Sequence, residues 1–328
     1  MRHVNIIGTG SYAPENIISN DDIAKLVDTS DEWISSRTGI RERRISTKET
    51  TAEMAYEAAK RAIANAGITA DDIELIICAT ITPDYFMPSV ACMVQGMLMA
   101  QKAAAFDLNA ACTGFVYAMT TASQFIQSGM YHKVLVIGVD IISKILDWSD
   151  RSTCVLFGDG AGAVVLSASD HKRGIIASTL TSDGTKQSIL SCEALPLTNP
   201  YIKQPVERVI PSIKMQGQEV FKFAVRSVTE TVETVLAMGN LRPNDVKWVV
   251  SHQANRRIIE AVAKNCNIPI EKFFINLDCY GNTSSASVGI ALDELVQTGG
   301  LNAGDIIVLV GFGGGMTSGA ILLEWNTG

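Results

Sequence analysis

Two long passages of this 328-residue chain run through the same order of elements. In the first, a helix of small residues at 52–66 leads through Gly67 to a strand at 73–80. A strand at 104–109, a helix after Cys112 and a strand at 134–139 follow. In the second, a helix at 221–238 leads through Gly239 to a strand at 246–251. Then come a strand at 273–277, a helix after Asn282 and a strand at 306–310. The spacing agrees as well: Cys112 to Gly129 and Asn282 to Gly299 are both 17 residues, and each glycine stands where a helix end needs a left-handed residue. Each passage closes on a glycine-rich, hairpin-like turn, Phe157-Gly-Asp-Gly-Ala-Gly-Ala163 in one and Phe312-Gly-Gly-Gly-Met-Thr-Ser-Gly-Ala320 in the other. This reads as an internal duplication, with one half at 1–175 and the other at 176–328. Chance similarity between two generic βα runs is the competing explanation.

Composition agrees with a layered α/β fold. Hydrophobic residues are 47% and charged residues 19%, below the roughly 25% of an average soluble domain, so much of the chain is buried and disorder is excluded. Aromatics are only 6% and glycines number 26, which leaves small and β-branched side chains to fill strands and helices. With 27 Lys and Arg against 34 Asp and Glu, the net charge of −7 lacks the basic footprint of a nucleic-acid binder. No apolar run approaches the roughly 20 residues that span a bilayer. Met1-Arg2-His3 leads straight into an apolar strand without a cleavable segment, so a cytoplasmic protein is expected. The seven cysteines are scattered and never spaced Cys-x-x-Cys, which argues against disulfides and structural zinc. No carboxylate or histidine cluster has metal-ligand spacing, so no metal is implied. Gly8-Thr-Gly10-Ser-Tyr-Ala13 matches a dinucleotide fingerprint, but Pro14 follows at once and no helix begins there to receive a pyrophosphate. The proline-rich stretch 195–211 reads as a mid-chain crossover.

Three residues stand out by position. Cys112 lies between a strand and a helix among small residues, facing a helix N-terminus that favours thiolate and lowers its pKa from about 8.5. An inert buried thiol is the alternative there, and the better reading for Cys78 and Cys154. His252 follows Trp248-Val-Val-Ser251 at the carboxyl end of a strand, where open α/β sheets assemble their sites; a satisfied structural histidine is its alternative. His3, His132 and His171 read as solvated. Asn282 occupies nearly the station in the second half that Cys112 holds in the first, and could equally be a helix N-cap. Brought together by a pseudo-twofold, the three supply a soft nucleophile and two neutral hydrogen-bond donors. That set can form a thioester and stabilise a negative oxygen. A Cys and a His could also describe a cysteine protease, but the papain-type and caspase-type runs are absent.

Eight motifs in order carry a family resemblance over nearly the whole chain. They are Ile7-Gly-Thr-Gly10, Thr29-Ser-Asp-Glu-Trp-Ile34, Arg37-Thr-Gly-Ile-Arg-Glu-Arg43, Ala110-Ala-Cys-Thr-Gly114, Phe157-Gly-Asp-Gly-Ala-Gly162, His252-Gln-Ala-Asn255, Gly281-Asn-Thr-Ser284 and Phe312-Gly-Gly-Gly315. The chain resembles the β-ketoacyl-acyl-carrier-protein synthase III family of the thiolase-like superfamily. The resemblance implies a five-layered α-β-α-β-α fold, a homodimer, and Cys112, His252 and Asn282 as the triad of a decarboxylating condensation. Cys112 would take a short acyl group from acyl-CoA, acetyl-CoA foremost, and malonyl-acyl-carrier protein would then lose CO2 and attack it, initiating fatty-acid synthesis.

The same resemblance makes the N–H groups of Cys112 and Gly314 an oxyanion hole. It has Trp33 and Arg151 sandwich the adenine of coenzyme A, with Thr29, Arg37 and Asn255 nearby. Lys222, Arg257 and Lys264, beside Arg256, become the docking surface for an acidic carrier; a routine solvated face is the alternative. Coenzyme A and acyl carrier protein enter as substrate carriers, with no resident cofactor. Two positions depart from the family pattern: Met87, more pliable than the phenylalanine expected at the acyl tunnel, and Gln218 where Asn is expected near the pantetheine arm. Two other functions stay open, a condensing enzyme of secondary metabolism with another primer or acceptor, and a non-catalytic acyl-CoA or acyl-carrier binding protein.

Overall fold

A computed structural model describes residues 2–170, 174–202 and 210–326. His171 and the centre of the proline-rich crossover lie outside the described residues. In the first half, β1 (His3–Tyr12), β2 (Leu75–Ala79), β3 (Ala104–Leu108), β4 (Lys133–Ile141) and β5 (Asp159–Ser169) form one sheet in the order β1-β5-β4-β2-β3. In the second, β6 (Gly174–Thr181), β7 (Val246–Ser251), β8 (Phe273–Phe274), β9 (Ile306–Gly313) and β10 (Thr317–Glu324) are ordered β6-β10-β9-β7-β8, the same permutation. Directions match too: β2 is parallel to β3 and β4 as β7 is to β8 and β9, and the remaining pairs are antiparallel.

Alternation along the strands builds three apolar layers. On β2, Leu75, Ile77 and Ala79 face the molecular centre while Ile76 and Cys78 face outward. On β9, Ile307 and Leu309 face the centre while Val308 and Val310 face the other way. Helices α1 (Thr51–Asn65) and α2 (Val90–Leu98) cover the outer face of the first sheet. Between the sheets lie α3 (Gly114–Ser128) and, from the second half, a helix at Ser287–Gln297. The outer face of the second sheet is covered by α4 (Gly217–Met238) and α5 (Arg256–Asn265). With Ser287–Gln297 as α6, the layers read α-β-α-β-α. Among the described residues no helix is long and apolar enough to cross a membrane.

Two sequence expectations change, and the glycines at 8 and 10 gain a packing reason. Gly8 and Gly10 let α1 press onto β1, since a Cβ on either would collide with Ala62 backbone; the glycines serve helix–strand packing. The run 157–163 is not a hairpin turn but largely strand β5. Its Gly162 meets Gly289 of α6, where an added Cβ would lie 2.5 Å from the Gly289 carbonyl carbon. The strand expected at 273–277 stops after Phe274, because the Gln253 side chain takes over the pairing. Its Nε2 donates to Phe274 O at 3.1 Å and its Oε1 accepts the Asn276 N–H at 3.1 Å, after which a helical turn, Leu277–Tyr280, begins.

Candidate active site

A 3₁₀ turn, Ala111–Thr113, joins β3 to α3, and Ala111 within it has φ 47°. A matching turn, Ser284–Ala286, precedes α6, and Ser284 has φ 52°. Left-handed non-glycine backbone costs of order 1–3 kcal/mol and persists where the surroundings enforce it. These turns correct the alignment of the halves. Cys112 and Ser285 each lie two residues before a helix start, so Ser285 is the structural counterpart of Cys112, and Asn282 stands three residues upstream. The equal spacing to Gly129 and Gly299 arises because α6 has 11 residues against 15 in α3, while Asn282 lies three residues further upstream and Thr298 stands between α6 and Gly299.

Cys112, His252, Asn282 and Gly314 nonetheless open into one cavity of about 1490 Å³, which Asn255 also lines. The β9–β10 turn presses onto the cysteine: a Cβ on Gly313 would come within 2.7 Å of Cys112 N. Burial pushes the Cys112 thiol up to about 12; the Ser284 hydroxyl, 3.4 Å from Sγ, opposes the rise, and Asp140 adds to it. Burial thus acts against the lowering expected from the helix N-terminus and favours the thiol form.

His252 follows β7 and is 2% exposed. Its N–H donates to Val310 O at 2.8 Å, and Phe312 packs edge-on to the ring at 5.0 Å. Burial holds its pKa down to about 3, so the imidazole is neutral. Nδ1 lies 2.6 Å from Ser287 Oγ, and that oxygen accepts the Gln253 N–H at 3.4 Å. The serine's own proton is then available to Nδ1, which leaves the ring proton on Nε2. Asn282 is fixed by its backbone, which donates to Leu156 O and accepts from Gly158 N, and by its side-chain Oδ1, which accepts the Ser284 N–H at 2.9 Å. That contact assigns the amide orientation. Nδ2 has no protein partner among the described residues. The site thus holds a protonated thiol and two neutral N–H donors.

The outlying expectations divide. Asn255 caps α5 through Arg257 N and donates Nδ2 to Arg37 O at 3.2 Å, linking the cavity to the short helix Asp31–Thr38. On that helix the Trp33 indole lies beneath two guanidinium groups, Arg37 at 4.6 Å and Arg151 at 5.0 Å, the latter donating to Asp28 O. A base between Trp33 and Arg151 needs about 7 Å, two contact thicknesses, so the expected sandwich forms only if Arg151 swings away. The Thr29 hydroxyl is buried without a partner among the described residues. Lys222 pairs with Glu219 and Arg256 with Glu260, while Arg257 donates to Ser36 O; Lys264 is exposed and carries no ion pair among the described residues. Met87 is 84% exposed and does not line this chain's cavity, whereas its neighbour Phe86 does. Gln218 is exposed and also stands outside it.

Sequence reasoning missed Ser284, Ser287 and Asp140. The serines lie in a run already singled out, but nothing in a serine-rich stretch says which hydroxyl turns inward. Asp140, fully buried at the end of β4, was signalled only by a carboxylate closing an apolar strand. Among the described residues no group of three or more His, Cys, Asp or Glu side chains could hold a metal.

Comparison with known proteins agrees with the fold. Family models described as 3-oxoacyl-[acyl-carrier-protein] synthase III and its C-terminal part match residues 106–184 and 236–325. The chain is 53% identical to the β-ketoacyl-[acyl-carrier-protein] synthase III of Clostridium acetobutylicum, over 99% of this chain and 100% of that one. The crystal structure of 3-oxoacyl-[acyl-carrier-protein] synthase III from Aquifex aeolicus superposes with a TM-score of 0.92 at 47% identity, covering 98% and 100% of the two chains. A priming β-ketosynthase from the R1128 polyketide biosynthetic pathway also reaches 0.92, at 35% identity, covering 99% and 97%.

Proposed function

The chain belongs to the 3-oxoacyl-[acyl-carrier-protein] synthase III family, and from that premise we propose that Cys112, His252 and Asn282 carry out its reaction. It is a condensing acyltransferase of fatty-acid biosynthesis. In the first half-reaction the Cys112 sulfur attacks the thioester carbonyl of a short acyl-CoA, and the N–H groups of Cys112 and Gly314 stabilise the tetrahedral oxyanion. Coenzyme A leaves, and malonyl-acyl-carrier protein takes its place. Its carboxylate departs as CO2, and the electron pair moves onto the thioester oxygen as an enolate. That oxygen receives hydrogen bonds from His252 Nε2 and Asn282 Nδ2. The enolate carbon then attacks the acyl-cysteine, releasing 3-oxoacyl-acyl-carrier protein and the Cys112 thiolate.

The observation that carries this reading is the pinning of both donors from behind. Ser287 occupies His252 Nδ1 and the Ser284 N–H occupies Asn282 Oδ1, so each group has an N–H to offer the cavity that Cys112 lines. Neutral donors suit the task, because they bind most strongly to charge that develops only along the reaction.

Trp33, Arg151, Arg37, Thr29 and Asn255 would hold the nucleotide end of coenzyme A, and Lys222, Arg257 and Lys264 an acidic carrier. No resident cofactor takes part. The consecutive apolar side chains Tyr85, Phe86 and Met87 are exposed in the single chain. That supports a homodimer in which Met87 reaches a tunnel only across the subunit interface. The location is cytoplasmic.

Incubation with acetyl-CoA followed by peptide mass spectrometry is expected to find the acyl group on Cys112; an unmodified Cys112 would sink the mechanism. Asn282→Ala should leave that acylation intact and lower condensation by about 10²-fold or more. A primer series of increasing length, assayed with malonyl-acyl-carrier protein, identifies the acyl group. Failure of every member, with turnover of malonyl-CoA as acceptor instead, would favour the polyketide-type reading that the R1128 likeness raises.

A further inference from the structure

The two halves of the molecule are bonded to each other at both strand-to-helix turns. At the Ser284–Ala286 turn the partner comes from the first half: Oδ2 of the fully buried Asp140 accepts from Ser285 N at 3.1 Å and Ser285 Oγ at 2.7 Å. At the Ala111–Thr113 turn the partner comes from the second half and is Thr317, the first residue of β10. The Thr317 hydroxyl lies 2.9 Å from the hydroxyl of the fully buried Thr113, 3.2 Å from Ala110 O and 3.1 Å from Gly314 O. When Thr113 donates to Thr317 Oγ1, the Thr317 proton is left for the two carbonyls. One hydroxyl then ties the foot of the Cys112 turn to Gly314.

Gly314 needs such a tie. The pairing of β9 with β10 ends at Gly313 and Thr317, so Gly314 lies beyond the ladder. Gly315 and Met316 complete the turn in left-handed conformations, φ 73° and 49°, which persist only where the surroundings enforce them. An oxyanion hole works when its donors are already placed about 2.7–3.1 Å from the oxygen that becomes charged. Here the two N–H groups belong to opposite halves of the chain, and a misplacement of about 1 Å can cost 10²-fold in rate.

We propose that Thr317, backed by Thr113, is a positioning residue for acyl transfer: it fixes the separation of the Cys112 and Gly314 N–H groups and thereby their fit to the oxyanion. The proposal rests on those two groups forming the hole. His252 and Asn282, which receive the malonyl enolate, are held by Ser287 and by the Ser284 N–H instead. Loss of the Thr317 hydroxyl therefore reaches the two steps that pass through a tetrahedral oxyanion, acylation of Cys112 and attack of the enolate on the acyl-cysteine. It leaves decarboxylation alone.

Single-turnover acylation, followed by quenched-flow mass spectrometry, tests this with acetyl-CoA and with dithioacetyl-CoA, in which sulfur replaces the carbonyl oxygen. The unaltered protein should favour the oxygen compound by about tenfold or more, because sulfur is the poorer acceptor in the hole. Thr317→Val keeps the shape and the β-branched side chain that suits a strand. It should acylate from acetyl-CoA about tenfold or more slowly, with the half-saturating concentration within about twofold, and lose most of the oxygen preference. Thr317→Ser should restore rate and preference to within about threefold. The double variant with Thr113→Val should be no slower than Thr317→Val, because Thr113 acts through Thr317. CO2 release by Thr317→Val acylated to completion beforehand should stay within about twofold. More of its enolate should take a solvent proton at carbon, so acetyl-acyl-carrier protein should rise against the 3-oxoacyl product. Unchanged acylation or an unchanged oxygen preference in Thr317→Val, a Thr317→Ser as slow as Thr317→Val, or an equal loss of CO2 release would overturn the positioning role. No oxygen preference in the unaltered protein, or no acyl group on Cys112, would instead overturn the reading beneath it.

Discussion

Burial raises the Cys112 thiol and lowers the His252 imidazole, so it favours the neutral form of both. For His252 the folded pKa is about 3 against an ordinary 6.5, so between those values the unfolded chain binds a proton that the folded chain refuses. This contribution to stability is intact above pH 6.5 and is lost as pH falls toward 3, by roughly 1.4 kcal/mol per pH unit. Denaturant unfolding from pH 7 to 4 should therefore be less steeply pH-dependent in His252→Asn than in the unaltered protein; equal slopes would contradict the assignment. Kinetically, CO2 release by the acylated enzyme should show no inflection near pH 6.5, because the imidazole is already neutral; an inflection there would show that His252 titrates. Ser287→Ala should free Nδ1 and allow the other tautomer, lowering condensation by about tenfold or more while sparing acylation of Cys112. Equal loss in both half-reactions would mean that the serine merely supports the fold. The three principal residues were legible in the sequence because their types are chemically distinctive and each stands at a strand end. The protonation state of Cys112 was not, since the sequence places it at a helix N-terminus but does not reveal how completely the second half covers it. Ser284 and Ser287 were hidden for the same reason.

At the level of elements, the strand and helix order read from periodicity matches the folded chain, and the departures occur where side chains or glycines replace regular pairing. Gln253 ends β8 by bonding both sides of the ladder, a long-range act that no local pattern announces. The glycines of 157–163 look like a turn in sequence but are a contact surface, legible only once α6 lies across β5. Gly162→Ala should cost about 1–3 kcal/mol, because the new methyl must enter space held by Gly289 backbone. Gly96, inside α2 with nothing within 4 Å of an added Cβ, is the control. There alanine should stabilise by about 0.5–1 kcal/mol. Urea titration of the two variants checks the pair, and similar effects at both sites would contradict the packing described.

Over the whole molecule, the charge of −7 and the proposed recognition of an acidic carrier are reconciled by placement. Lys222 on α4 and Arg257 and Lys264 on α5 lie on two helices that cover the same sheet. Replacing all three with glutamate should raise KM for malonyl-acyl-carrier protein by about tenfold or more at low salt. It should leave acylation by acetyl-CoA unchanged, with the difference shrinking as ionic strength screens the surface. A matching change in acylation would place these residues elsewhere in the reaction. The repeated order of elements announced the duplication, and the family resemblance implied the five layers, while the equivalence inside the repeat is visible only in the folded chain: the partner of Cys112 is Ser285. That pairing bears on how one site came to hold two kinds of turn. In two identical subunits, any change at one strand-to-helix turn is a change at both. Joined in a single chain, the two turns mutate independently, so one could become a nucleophile while its twin became a clasp for a buried acid.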